Sequence, residues 1–117
     1  MLELDGHVIE AQDEYRRAVA ADANLADAHF HLARVLDRRN RQNAAIREFE
    51  IYVRLKPDDI RARTNLGMLY GLAGRFDDAA EAFSAVLKTE PDFAPAKKGL
   101  ALSLEMKRRA ATTRGTR

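Results

Sequence analysis

The stretch that decides the fold is residues 60–93, which read IRARTNLGMLYGLAGRFDDAAEAFSAVLKTEPDF. Residues 26–59 read ADAHFHLARVLDRRNRQNAAIREFEIYVRLKPDD and align with this stretch without a gap. Most of the identical positions hold apolar or turn residues, the types that set packing and chain direction: Ala28/Ala62, Leu32/Leu66, Arg41/Arg75, Ala45/Ala79, Phe49/Phe83, Pro57/Pro91 and Asp58/Asp92. A gapless period of 34 residues is typical of a repeat protein in which each repeat is one supersecondary unit.

The same frame extends over the rest of the chain. Going backwards it aligns Ala11 and Tyr15 with Ala45 and Phe49. Going forwards it aligns three positions with the second full repeat: Leu100 with Leu66, Ala101 with Gly67 and Leu104 with Tyr70. The predicted organisation is a partial first repeat (1–25), full repeats (26–59 and 60–93), a C-terminal capping helix (94–109) and a basic disordered tail (110–117).

Each repeat is predicted to be a helix, a tight turn and a second helix. The chain contains 21 Ala and 13 Leu against nine Val plus Ile, and unbranched side chains lose little rotamer freedom in a helix. An all-α fold follows, with helices expected near 8–21, 25–39, 42–55, 59–73, 76–89 and 93–109.

Turn residues recur in the same frame. One set of equivalent positions holds Asn or Asp before an apolar run, where a side-chain oxygen can cap a helix: Asn24, Asp58 and Asp92. A second set holds Gly or Asn, which enter the left-handed conformation that ends helices: Gly6, Asn40 and Gly74. We therefore expect three N-caps and three helix ends at these positions.

Composition excludes several classes of function. The 117 residues suffice for one domain, and the absence of cysteine excludes disulfides and zinc-thiolate sites.

The start of the chain lacks the basic and apolar segments of a signal peptide, and no apolar run is long enough to span a membrane. The protein is therefore predicted to be soluble and cytoplasmic. The net charge of +2 combines a basic end, with five Lys or Arg and no acid in residues 107–117, and an acidic remainder. Nucleic-acid binding is therefore not expected.

The motif Asn65-Leu66-Gly67-x-x-Tyr70, followed by Ala79, Phe83 and Pro91, resembles the tetratricopeptide repeat. The resemblance implies a right-handed α-solenoid of antiparallel helix hairpins, about six helices in all. It also implies that the first helices line a concave groove that binds a peptide or helix of a partner protein. The chain departs from the family pattern where a large aromatic residue is usual, since it has His29, Arg63 and Lys97 at those positions.

The predicted groove residues lie on the faces of the first helices turned away from the packing stripe, projected at about 100° per residue. Eight of them are candidate peptide-binding residues: Phe30, His31, Arg34, Arg61, Asn65, Met68, Lys98 and Leu102. Others share the same projection: Asp27, Arg38, Thr64, Leu72, Gly99 and Glu105. Apolar anchors surrounded by cations fit an acidic or C-terminal segment. The competing interpretation is that the individual charges form a solvated face.

Some relatives in this family hold chaperone C-termini in a two-carboxylate clamp of Lys, Asn, Asn, Lys and Arg. The corresponding positions here are Phe30, Arg34, Asn65, Pro95 and Gly99. Only Asn65 matches, so the resemblance argues against a clamp of that kind.

Catalytic and metal sites are not expected, nor is a cofactor. His29 and His31 are two residues apart, about 200° around a helix, so they cannot share one metal without distortion. The acidic pairs 58–59 and 77–78 each open a helix, where acids favour the helix dipole. The chain is therefore predicted not to be an enzyme.

The leading hypothesis is a protein-interaction adaptor that binds a partner segment in its groove. The alternatives are an accessory repeat segment of a larger enzyme and a small secretion or assembly chaperone. Because the first repeat begins on its second helix, Val8, Ala11 and Tyr15 form an open edge. Self-association through this edge is a further prediction.

Overall fold

The computed structural model describes residues 2–22 and 24–115, and every regular element in these ranges is an α-helix. The helices are α1 (Leu2–Ala21), α2 (Ala26–Arg38), α3 (Gln42–Leu55), α4 (Ile60–Leu72), α5 (Phe76–Thr89) and α6 (Ala94–Gly115). The predicted all-α class is confirmed. The chain divides into an N-terminal unit, Met1–Asp58, and a C-terminal unit, Asp59–Arg117.

In the N-terminal unit, α2 packs against both α1 and α3. Leu32, Leu36 and Ala45 form a buried cluster, against which Tyr15 and Val19 of α1 pack. Ala33 and Ala45 are completely buried, and small side chains of this kind let the axes of α2 and α3 come near each other. Arg39, after the end of α2, also donates a hydrogen bond to Gln12 of α1.

In the C-terminal unit, α5 packs against α4 and α6, and α6 also contacts α4. Phe83 of α5 is buried, and its ring lies against two glycines, Gly67 of α4 and Gly99 of α6. A Cβ built on Gly67 would lie 2.8 Å from Cε1 of Phe83. Gly67, a member of the repeat motif, therefore allows α4 to lie close to the Phe83 ring of α5.

The predicted helix ends are confirmed at two of the three turn positions. Asn40 and Gly74 have φ of +59° and +78°, in the left-handed region. In each case the backbone N–H of the following residue donates a hydrogen bond to a carbonyl of the preceding helix, Arg41 N to Leu36 O and Arg75 N to Tyr70 O. The prediction for Gly6 is wrong, because Gly6 lies inside α1, which begins at Leu2 rather than near residue 8.

The predicted N-caps are displaced by one residue. Asp59, not Asp58, caps α4, and its Oδ1 accepts a hydrogen bond from Ala62 N at 3.1 Å. Leu25 precedes α2 and makes no side-chain cap, while Asn24 N donates to Asp22 Oδ1. The helix starts after Asn24, Asp58 and Asp92 therefore each lie one residue later than predicted. At α4 the sequence has no means of choosing between two adjacent aspartates, whereas Asn24 and Asp92 are each followed by an apolar residue.

The last helix extends beyond its expected end at residue 109 and includes residues 110–115, which were predicted to be disordered. Local interactions explain the extension. Glu105 bonds to Arg108 and Arg109, and Thr112 Oγ1 donates to Arg108 O at 3.0 Å. Residues 116–117 of the predicted tail lie outside the described part of the chain.

Candidate protein-binding surface

The candidate binding residues fall into two sets. Phe30, His31 and Arg34 lie on α2 of the N-terminal unit. The other five lie on two helices of the C-terminal unit: Arg61, Asn65 and Met68 on α4, and Lys98 and Leu102 on α6.

Phe30 takes part in helix packing and is not a free apolar anchor. Its side chain is half-buried, and its ring centroid lies 5.7 Å from that of Phe49 and 5.0 Å from that of Tyr52, both on α3. Edge-on and tilted ring pairs at these distances are favourable. The prediction that Phe30 stands on a water-facing side therefore holds only for part of the ring.

His31 and Arg34 are exposed and surround this aromatic group. The His31 ring stacks on Tyr15 of α1, with centroids 5.2 Å apart and planes 20° from parallel. The Arg34 guanidinium carbon lies 5.9 Å from the Phe30 ring centroid, within the range of a cation–π interaction. Tyr15 is thus a neighbour of the candidate residues that the projection of the first helices alone could not find.

On the C-terminal unit, large apolar side chains are presented to solvent. Met68, Leu72 and Leu102 are 55%, 75% and 60% exposed. Leu72 lies one helical turn beyond Met68, and Met106, itself partly exposed, lies one turn beyond Leu102. Each helix therefore carries two exposed apolar residues in succession. The spacing of Leu102 and Met106 was a signal that the sequence prediction left unused.

The polar candidate residues on α4 and α6 are exposed, as the helical projection predicts. Two other residues that the projection assigned to the same faces are not. Arg61, Asn65 and Lys98 are exposed. Thr64 is buried, and its Oγ1 donates to Ile60 O, one turn earlier in the same helix, at 2.7 Å. Gly99 lies against the Phe83 ring. Thr64 and Gly99 therefore belong to the packing between helices and not to a binding surface.

Charge is unevenly distributed among the three helices of this unit. By sequence, α4 and α6 together hold eight Lys or Arg and one acidic residue, whereas α5 holds three acidic residues and one Lys. The single acid, Glu105, accepts hydrogen bonds from Arg108 and Arg109, and the bond from Arg108 is the main reason its pKa is lowered. Glu105 is thus paired within α6, and Lys107 pairs with Asp77 of α5. The cations at the start of α6, Lys97 and Lys98, are both exposed.

Among residues 2–22 and 24–115, no three His, Asp or Glu side chains are grouped so as to hold a metal ion. His29, the other histidine of α2, is buried and pairs with Glu48 of α3. The distance between His29 Nδ1 and Glu48 Oε1 is 2.7 Å. His29 serves the contact between α2 and α3. No helix in the described ranges is long and apolar enough to cross a membrane.

Comparison with curated proteins finds matches to parts of longer proteins. It is 28% identical over 96 residues to the probable UDP-N-acetylglucosamine–peptide N-acetylglucosaminyltransferase SPINDLY of Petunia hybrida, covering 82% of this chain and 10% of that protein. It is 31% identical over 86 residues to DnaJ homolog subfamily C member 3 of Gallus gallus, covering 74% of this chain and 17% of that one. The chain therefore spans only a small part of the length of these relatives.

Solved structures show the same fold. The MamA protein superposes with a TM-score of 0.77 at 25% identity, over 86% of this chain and 55% of that one. The first repeat domain of Spaghetti, bound to an HSP90 peptide, superposes with a TM-score of 0.71 at 20% identity, over 92% and 82%. The family model described as Tetratricopeptide repeat matches residues 6–60 and 64–112. Since the model covers most of the chain in two segments, the chain belongs to the tetratricopeptide repeat family.

Proposed function

We propose that this chain is a non-catalytic, cytoplasmic protein-interaction module and that α4 and α6 bind an acidic segment of a partner protein that carries apolar side chains. The observation that carries the proposal is that exposed apolar residues and an excess of cations occur on the same two helices. Met68 and Leu102 are both more than half exposed. A peptide with both acidic and apolar side chains fits such a surface, because ion pairs orient it and apolar burial supplies affinity.

Each exposed residue has a definite role in this proposal. Met68 and Leu102 would cover apolar side chains of the segment, and the adaptable Met side chain suits more than one partner shape. Asn65 would bond to the peptide backbone, since its amide can both donate and accept. Arg61 and Lys98 would pair with carboxylates. Phe30, His31 and Arg34 are a second proposed contact region on the N-terminal unit.

Known structures support a peptide as the kind of partner. The Spaghetti domain is bound to an HSP90 peptide of sequence SRMEEVD, which is acidic and contains Met and Val. Only Asn65 of this chain matches the two-carboxylate clamp positions, so we propose an acidic segment of a different sequence.

Selection from a library of random peptides displayed on phage tests the proposal. We expect the selected peptides to be enriched in Asp or Glu together with Leu, Met or Phe. A selected peptide, labelled with a fluorophore, should bind the Met68→Ser and Lys98→Glu variants at least about tenfold more weakly than the original chain. Arg47→Glu, an exposed charge reversal on α3, is the control variant.

Two results would contradict the proposal. One is enrichment of basic or charge-free peptides, which would mean that the cations of α4 and α6 do not select the partner. The other is a selected acidic peptide whose affinity falls with Arg47→Glu and not with Lys98→Glu, which would place the binding surface elsewhere.

A further inference from the structure

The outer face of α6 repeats a pattern that is buried in α4. In α4 the pattern packs under α5, and its members are buried: Leu66, Gly67 and Tyr70. The residues in register with them on α6 are Leu100, Ala101 and Leu104. Ala101 is exposed, Leu104 is 52% exposed and Leu100 is partly exposed. By its own sequence, α6 thus carries the packing pattern of a first helix on a face that is exposed in this chain.

Helix α1 presents the complementary face. α5 is the second helix of its repeat, and three of its packing residues are no more than 2% exposed: Ala79, Phe83 and Val86. Their equivalents in α1 are Ala11, Tyr15 and Ala18. These three are all partly exposed, although Tyr15 also packs on the core of the N-terminal unit. α1 therefore carries a second-helix packing pattern that is incompletely covered.

The polar residues of the two faces match as well. Within the N-terminal unit, His29 of α2 pairs with Glu48 of α3 across the two helices of the hairpin. In the same repeat register, His29 corresponds to Lys97 of α6 and Glu48 corresponds to Glu14 of α1. Both Lys97 and Glu14 are exposed. If α6 and α1 paired as the first and second helices of one repeat, Lys97 and Glu14 would therefore lie together, as His29 and Glu48 do in the hairpin of α2 and α3.

We propose that copies of this chain associate by docking α1 of one copy on the outer face of α6 of another, which forms an intermolecular helix hairpin. In this hairpin Ala101 receives the aromatic ring of Tyr15, and Lys97 pairs with Glu14. A second copy is the occupant because the chain itself supplies both halves of one repeat. The net charges of the two helices are opposite, since α1 carries five acidic and two basic residues, and α6 carries six basic and one acidic. Such a head-to-tail contact uses two different surfaces of each copy.

This surface is distinct from the one proposed for the acidic segment. Leu104 of this face and Leu102 of the proposed peptide surface are two residues apart, about 200° around the helix. Lys97 and Lys98 differ in direction by about 100°. Loss of self-association can therefore be measured separately from loss of peptide binding.

Sedimentation velocity over a range of concentrations of the full chain tests the proposal. The original chain should show a weight-average mass that rises with concentration. Lys97→Glu and Glu14→Lys should each weaken association about tenfold, because a pair of opposite charges becomes a pair of like charges. An equimolar mixture of the two variants should associate again, since each contact then joins opposite charges. Lys88→Glu, an exposed reversal of the same charge on α5, should leave the association unchanged.

A second variant tests the packing half of the proposal. Ala101→Gln places a larger side chain where α4 has glycine, and should abolish association without altering helix content, because the position is exposed in the single chain. A chain that stays monomeric at high micromolar concentration would overturn the proposal. So would association that survives Ala101→Gln, or a mixture of the two charge variants that remains monomeric, since copies would then not meet through these faces.

Discussion

Replacing Gly99 by alanine tests whether α6 is held against α5 by the absence of a side chain. A Cβ on Gly99 would lie 2.5 Å from Cε1 and 2.7 Å from Cε2 of Phe83, distances at which carbon atoms overlap. Phe83 is 2% exposed, and its ring also lies against Gly67, so the ring has little room to rotate away from a new methyl group. Overpacking of this kind costs about 1–3 kcal/mol, and the better helix propensity of alanine offsets up to about 1 kcal/mol. We expect a net loss of up to about 2 kcal/mol in the free energy of unfolding, and a stability about 1–3 kcal/mol below that of a glycine-to-alanine variant whose new methyl group meets no neighbour.

Urea unfolding followed by far-UV circular dichroism measures this change, and Gly71→Ala is the matched control. Gly71 lies in α4, and a Cβ there would meet nothing within 4 Å. That variant should gain up to about 1 kcal/mol from helix propensity alone. In a Phe83→Leu background, Gly99→Ala should be less harmful, because the shorter side chain leaves space for the new methyl group. If Gly99→Ala were as stable as Gly71→Ala, the argument from close helix approach would be refuted.

The remaining predictions concern a buried pair, a surface ion group and the binding residues. Glu48→Ala should lower the free energy of unfolding by about 1–3 kcal/mol, because it removes the 2.7 Å contact between the buried His29 and Glu48, whereas the exposed Arg47→Ala should change it by less than about 0.5 kcal/mol. Glu105 has a lowered pKa in the folded chain, so its contribution to the end of α6 is present above the ordinary glutamate pKa and is lost as the pH falls through the lowered value. Amide hydrogen exchange in residues 109–113, compared with a Glu105→Gln variant that should lack this pH dependence, would detect the loss. Asn65→Ala combined with Arg34→Glu should weaken binding of the partner segment while helix content by circular dichroism stays the same, and unchanged affinity would locate the site elsewhere.

Much of the fold could be predicted because its determinants are local and repeat in sequence. The spacing of Leu66, Gly67 and Tyr70 indicates a helix face, and the left-handed positions of Asn40 and Gly74 indicate where helices end. These features depend on backbone geometry over a few residues. The same reasoning failed at Gly6, since a glycine inside a helix costs only about 1 kcal/mol and neighbouring residues can continue the helix through it.

The candidate surface was predicted less completely, because exposure depends on residues distant in sequence. Projection around each first helix assigned Phe30 of α2, Thr64 of α4 and Gly99 of α6 to the groove face of its helix. In the structure Phe30 contacts aromatic rings of α3, Thr64 bonds to its own helix, and Gly99 receives the ring of Phe83. A helical projection gives the direction of a side chain but not the width of the surface that a neighbouring helix covers.

By itself, the sequence determined the repeat period, the helix pairs, the turn residues and the membership of the chain in its family, because each rests on residue type at a fixed spacing. Only the tertiary structure decided which side chains remain in contact with water. Met68 and Leu102 are exposed while Thr64 is buried, although all three had the same projected direction. The physical reason is that burial is set by how closely two helices approach, and in the C-terminal unit that approach depends on one phenylalanine ring between two glycines.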